Sequence, residues 1–255
     1  MARKSKRKPA RAFIKIFIGL CITLAIVYYV VNSFFIQPHI FYPGFNIEIP
    51  RGYDIHGIDV SRYQQTINWQ EVKNMEVNGL RIGFVFIKAT EGKSRVDDQF
   101  RRNWYNAEVQ KIPKGAYHFF VPGRDPVLQA NNYVQIVPLK SGDLPPVLDV
   151  EKSGRLSVIQ MQKDVLQWLH LIERKYGVKP ILYTNINFYL KYFSNGFSDY
   201  PLWIAHYLQP DKPRINYKWV FWQHSETGTV DGIQSPVDFN VFSGDSSDFK
   251  KLLIP

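Results

Sequence analysis

A chain of 255 residues with 45% hydrophobic and 15% aromatic content can build one large packed domain plus a small appendage, which excludes general disorder. The formal net charge of +10 suggests a polyanionic partner until it is mapped: Arg3, Lys4, Lys6, Arg7, Lys8, Arg11 and Lys15 lie together in residues 1–15, without one acid. The rest carries 25 basic and 22 acidic side chains, a net of +3, so charge gives no support to a nucleic-acid groove on the main domain.

The basic segment 1–15 leads into residues 16–36, where Thr23, Asn32 and Ser33 are the only polar interruptions. Twenty-one helical residues span about 31 Å, close to the ~30 Å hydrocarbon core, and the stretch has no polar face of the kind a core helix needs. Cations on its N-terminal side predict a cytoplasmic N-terminus and a single pass, with all that follows outside the cytoplasmic membrane. No small-x-small site follows the run, since Val31-Asn32-Ser33-Phe34-Phe35 stands there, so a retained signal-anchor is expected rather than a cleaved leader. Cys21, the only cysteine, is preceded by Leu20 where lipid attachment needs a small residue. The exported part therefore has no disulfide, thiol chemistry or zinc-thiolate site.

Residues 37–52 contain Pro38, Pro43, Gly44, Pro50 and Gly52 and read as a juxtamembrane linker, leaving 53–255 as the exported domain. Within it strands alternate with helices. Ile55–Val60 is a predicted strand, Asn68–Gly79 a helix, Arg81–Ala89 an apolar strand buried on both faces, and Asp98–Gln110 a helix. Gly115–Phe120, Pro146–Glu151, Pro180–Thr184, Leu202–His206 and Lys218–His224 follow as strands, with Pro126–Val137 and Ser157–Tyr176 as helices. The last helix has Val158, Met161, Val165, Trp168, Leu169 and Ile172 at spacings of three and four, Ser157 as N-cap and Gly177 as terminator. The order predicts an α/β fold: a TIM-like barrel of βα units whose last quarter is helix-poor β-strand.

Polar residues recur where these strands end: Asp59 and Ser61, Lys88 and Glu91, His118, Asp149 and Glu151, Tyr183 and Asn185, His206 and Tyr207, Gln223 and His224, with Asp238 on a final short strand. In a parallel barrel all C-terminal ends share one rim, where active sites lie. Asp149 and Glu151 alternate with Leu148 and Val150, so they share a face, their Cα atoms about 6.6 Å apart. Carboxylates ~7 Å apart repel by about 2.4 kcal/mol at an effective dielectric of ~20, enough to hold one protonated near neutrality, as a general acid requires. Asp-x-Glu on the solvent face of an edge strand is the plainer alternative, and a hard-cation site among Asp59, Asp149, Glu151 and Asp238 is another. Tyr117, Tyr183, Trp203 and Tyr207 are each open to a core role or a sugar-platform role, and His118 and His206 read more naturally as structural than as acid–base groups.

Together these residues resemble glycoside hydrolase family 25, the Chalaropsis-type lysozymes. The resemblance is carried by Gly57-Ile-Asp-Val-Ser-Arg-Tyr-Gln64, Ile67-Asn-Trp69, Ile87-Lys-Ala-Thr-Glu-Gly92, Gly115-Ala-Tyr-His-Phe-Phe120, Pro146-Val-Leu-Asp-Val-Glu151, Ile181-Leu-Tyr183, Pro201-Leu-Trp-Ile-Ala-His-Tyr207, Trp222-Gln223 and Val237-Asp-Phe-Asn240, in the family's order over about residues 54–243. It implies a flattened α/β barrel, about five βα units followed by β-strands, in a catalytic domain that cuts the β-1,4 bond between N-acetylmuramic acid and N-acetylglucosamine in peptidoglycan without cofactor or metal. By the same resemblance Glu151 is the proton donor, Asp149, Asp59 and Asp238 are the other acids, and Tyr117, Tyr183, Trp203 and Tyr207 contact sugar. Asp149 could stabilise positive charge by orienting the substrate's own 2-acetamido group, or an enzymic nucleophile could serve. Gln65 departs from the glycine often found there, and no wall-binding repeat follows the barrel. The expected partners are peptidoglycan strands and the membrane, with no nucleic acid and a monomeric chain; a catalytically silent glycan-binding barrel is the alternative.

Overall fold

The computed structural model describes residues 9–35 and 39–255; the first eight residues of the basic tail and the junction 36–38 lie outside the described residues. Helix α1 (Pro9–Phe35) starts within the basic segment, with Pro at its first turn where a missing N–H costs nothing. Its Phe13–Val31 stretch has a mean hydropathy of 2.3 and no residue buried against protein.

The segment expected as a linker folds. Strands β1 (His39–Tyr42) and β2 (Ile47–Pro50) form an antiparallel hairpin. Phe45, Ile47 and Ile49 are buried in the main core, the Phe45 ring lies 5.2 Å from that of Phe239, and the Thr229 N–H donates to the Phe45 carbonyl at 2.8 Å. Pro43 and Gly44 make the turn, while Ile47-Glu-Ile49 gives the strand one apolar face. Prolines and glycines here punctuate a hairpin rather than loosen a tether.

The barrel then unfolds in sequence as β3 (His56–Val60), α2 (Trp69–Asn74), β4 (Glu76–Val77), β5 (Leu80–Glu91), β6 (Arg95–Val96), α3 (Phe100–Val109), β7 (Lys114–Phe119), α4 (Pro126–Ile136), β8 (Val147–Asp149) and α5 (Val158–Tyr176). It continues through β9 (Ile181–Asn185), α6 (Ile186–Phe188) with a π-helical turn over Tyr189–Phe193, β10 (Leu202–Ala205), β11 (Phe221–Gly228), β12 (Val237–Phe242) and α7 (Ser246–Leu252). Strands β3, β5, β7, β8, β9, β10 and β11 are parallel neighbours in that order. β12 closes the eight-stranded barrel by pairing antiparallel with both β11 and β3. The helix-poor end expected from sequence is the stretch from β10 to β12.

One sequence expectation changes here. The helix over 68–79 stops at Asn74, because Asn78 (φ 52°) and Gly79 (φ 83°) form a two-residue turn joining β4 to β5, with Val77 opposite Leu80. Asn-Gly supplies the two left-handed residues such a hairpin needs. The final strand, whose direction the sequence pattern leaves open, is antiparallel to its neighbours, so Asp238 reaches the functional rim from the start of its strand.

Side-chain parity separates the barrel interior into a closed floor and a polar mouth. Phe84, Phe86, Val147, Ile181, Phe221 and Phe242 fill the lower interior, and Phe249 of α7 packs beneath them. Gly57 and Gly115 make this possible: a Cβ on either would sit 2.5–2.6 Å from the rings of Phe84 and Phe86. Two residues further along the same parity come Asp59, Lys88, Tyr117 and Asp149, which therefore face the mouth.

Candidate active site

The mouth opens into a cleft of about 280 Å³ whose walls include Asp59, Asp149, Glu151 and Asp238, together with Tyr117, Tyr183, Trp203 and Tyr207. All eight candidate side chains thus meet in one place. β8 is a central strand flanked by β7 and β9, which removes the edge-strand reading of Asp149 and Glu151. β8 ends at Asp149, so Glu151 stands just beyond the ladder, partly exposed, on the chain leaving the barrel.

Asp59 is the hub. Its Oδ2 accepts hydrogen bonds from Gln223 Nε2 and Asn240 Nδ2, both at 2.8 Å. Gln223 Oε1 in turn accepts from the hydroxyls of Tyr183 (2.8 Å) and Tyr207 (2.7 Å), and Asn240 Oδ1 accepts from the indole N–H of Trp203 at 2.8 Å. The Tyr183 oxygen also lies 3.4 Å from Glu151 Oε1. Asp238 is the direct cross-strand neighbour of Asp59. Asp149 is buried, and its Oδ1 has no hydrogen-bond partner among the described residues.

All four acids are held above the ordinary carboxylate range, and burial is the leading cause in each. The mutual repulsion expected between Asp149 and Glu151 is real but second to burial, and it acts on Asp149. Asp59 rises to about 6, restrained by its two amide donors, whereas Asp238 is raised further by burial and by the neighbouring Asp59 charge. Of this pair, Asp59 carries the charge and Asp238 the proton. Lys88, whose Nζ binds Glu91 Oε2 at 2.8 Å, lines the cleft and, with Lys152, opposes the rise at Asp149 and Glu151.

The aromatics divide. Trp203 is 2% exposed, stacked 4.5 Å from Phe86 and bonded to Asn240, so it forms the floor of the cleft and offers no free face for a sugar. Tyr183 is buried with its hydroxyl in the network, while Tyr117 and Tyr207 are partly open. Tyr63 at the rim is 69% exposed and was quoted in the sequence only as part of a motif. Gln223, which the sequence places among the polar strand ends of the rim, and Asn240, which shares the parity of Asp238, are the two amides that complete the site. His118 is structural: it is fully buried, stacked on Trp168, and bonded to Thr90 and Gln129. Gln65 adopts φ 51°, which accounts for glycine being favoured at such a position.

A closed α/β barrel with four carboxyls clustered in an open cleft at the strand ends is an arrangement that glycosidic-bond hydrolysis can use. The chain belongs to the glycosyl hydrolases family 25, whose model matches residues 58–233. It is 48% identical over 200 residues to the uncharacterized protein YegX of Escherichia coli (strain K12), covering 78% of this chain and 74% of that protein. It is 33% identical over 208 residues to Lysozyme M1 of Streptomyces globisporus, covering 76% and 69% respectively. Among solved structures, a family 25 glycosyl hydrolase from Bacillus anthracis superposes with a TM-score of 0.72 at 33% identity, over 78% of this chain and 93% of that one.

Proposed function

We propose that this glycoside hydrolase cuts the β-1,4 bond between N-acetylmuramic acid and N-acetylglucosamine in peptidoglycan, and does so outside the cytoplasmic membrane while tethered by α1. The observation that carries the reading is the pairing, in one cleft, of a carboxyl raised by burial (Glu151) with a buried acceptor that lacks a donor, Asp149 Oδ1. A buried acceptor left unpaired costs about 1–3 kcal/mol, and the N–H of a substrate acetamido group would remove that cost. Glu151, protonated, delivers its proton to the leaving glycosidic oxygen and then, as carboxylate, takes one from water. Asp149 holds the acetamido group so that its carbonyl oxygen supports the developing positive charge, the substrate-assisted route. The Asp59 charge, shared with Asp238, adds a preorganised negative field under the sugar. The name of the Streptomyces relative, a lysozyme, is in line with this substrate.

The tether reading is supported by the length and apolarity of Phe13–Val31 and by seven cations ahead of or at the start of the apolar run. A catalytically silent glycan-binding barrel is not favoured, since all four acids face the cleft. Glu151→Gln removes one titratable proton with little change of shape. It should lower turbidity loss on purified peptidoglycan by about 10²–10⁴-fold with an unchanged circular dichroism spectrum, and retained activity would remove Glu151 from its role.

A further inference from the structure

Beyond the acids themselves, the hydrogen-bond chain beneath them has a direction, and that direction reaches Glu151. An indole N–H can only donate. Trp203 Nε1 therefore fixes Asn240 with its Oδ1 toward the ring and its amide N–H toward Asp59 Oδ2. Oδ2 is then an accepting oxygen, and the second amide 2.8 Å away, that of Gln223, must also present N–H to it. Gln223 Oε1 is thereby turned to the two phenols and takes their protons at 2.8 Å and 2.7 Å. A phenol has one proton. With that of Tyr183 engaged by Gln223, only a lone pair of its oxygen remains for Glu151, 3.4 Å away.

We infer that Gln223 is a positioning residue: by holding the Tyr183 proton it makes Tyr183 an acceptor toward Glu151 and so keeps that carboxyl in its proton-bearing form. The role of Glu151 as proton donor is taken from the proposed function; the polarity of the bond is a separate claim. Gln223 is 2% exposed, so it acts through Tyr183 rather than on sugar. The acids facing this cluster are Asp59 from β3, Asp149 from β8, and Asp238 and Glu226 from β12 and β11. The cations are Lys88 from β5 and Lys152 after β8; the remaining phenols are Tyr117 from β7 and Tyr207 after β10. Burial raises Glu151 while Lys152 and Lys88 oppose the rise. A Tyr183 hydroxyl donating to the carboxylate would lower it too, whereas one already engaged by Gln223 would not, so the direction of that bond decides the sign of the change when Tyr183 is altered.

The test is a ¹³C NMR titration of the Glu151 side-chain carboxyl in the full-length protein, assigned by its loss in Glu151→Gln. Tyr183→Phe removes an acceptor from the protonated carboxyl, so the Glu151 midpoint should fall by roughly 0.5–1 pH unit. If Tyr183 instead donates to the carboxylate, the midpoint rises, and the inference is overturned. Gln223→Met releases the Tyr183 proton toward Glu151, which should also lower the midpoint, but by less than half as much in a Tyr183→Phe background. An equal shift in both backgrounds, or no shift in either, contradicts the role given to Gln223; should Gln223→Met not fold, the sign in Tyr183→Phe alone decides. The alkaline limb of kcat should move the same way as the NMR midpoint. Because the NMR readout needs no turnover, a failure of Glu151 as proton donor would be seen separately, as activity surviving in Glu151→Gln.

Discussion

Asp238→Asn should make the protein more stable while making it a poorer enzyme, and the gain should grow with pH. Asp238 is held up to about 9 by burial and by the charge of Asp59, against 3.8 for a free aspartate. A group whose folded value is raised contributes stability that is fully present below the unfolded value and lost as pH rises toward the folded one. Between about pH 4 and pH 9 the unfolded chain ionises Asp238 while the native cleft keeps it protonated. At pH 7.5 the whole difference would amount to about 5 kcal/mol. Asp238 is partly open to the cleft and shares its proton with Asp59, so the fraction realised is smaller, about 1–2 kcal/mol. Asparagine keeps the shape and offers an amide N–H where the protonated Asp238 offers its O–H to Asp59, but has nothing to ionise. Thermal melts of both proteins at pH 5 and pH 8 should therefore give a melting temperature about 2–8 °C higher for the variant at pH 8, with a smaller gap at pH 5. A variant less stable than wild type at pH 8, or a gap that does not change with pH, would refute the reasoning.

Removing the hairpin by starting the chain at Tyr53 strips the buried side chains of Phe45, Ile47 and Ile49, each worth about 1.5–3 kcal/mol, so that protein should melt far below one starting at His39, as differential scanning calorimetry would register. Trp203→Phe keeps an aromatic ring but leaves Asn240 Oδ1 without its donor, at a cost of about 1–3 kcal/mol measurable by urea denaturation. His118 and His224 are buried neutral, each depressed to about 3, and His56 to about 4. Below pH 6.5 the unfolded chain takes up protons these sites refuse, so they make stability fall from pH 6.5 toward pH 4, and His118→Asn should flatten that fall in melts across the range.

Much of this architecture was readable because the barrel is built from local patterns. The α5 helix declared itself through its apolar spacing, its Ser157 cap and the left-handed Gly177, and all three are in place. The functional rim follows from strand ends and parity, which turn Asp59, Asp149 and Tyr183 inward at the C-terminal ends of parallel strands, Asp149 directly beside Tyr183. What parity cannot carry is direction: a residue at the start of an antiparallel strand and one at the end of a parallel strand have the same alternation, so the reversal of β12 was invisible. The roles of Gln223, legible only as a polar strand end, and of Asn240 stay hidden in the sequence for a different reason. Amides carry no charge and no acid–base chemistry of their own, and their importance arises only once Asp59 is buried between them. The hairpin at 39–50 looks like a linker in sequence because Pro43-Gly44 is as much a turn signal as a linker signal, and the decisive partner, Phe239, is almost two hundred residues away. Trp203 was open to two readings until the Phe86 ring filled the space beneath it.

Mass spectrometry of the fragments released from purified peptidoglycan identifies the bond that is cut. The account predicts products with N-acetylmuramic acid at the reducing end, absent when Glu151→Gln is used. Fragments ending in N-acetylglucosamine, or intact glycan strands after treatment with the wild-type protein, would contradict it.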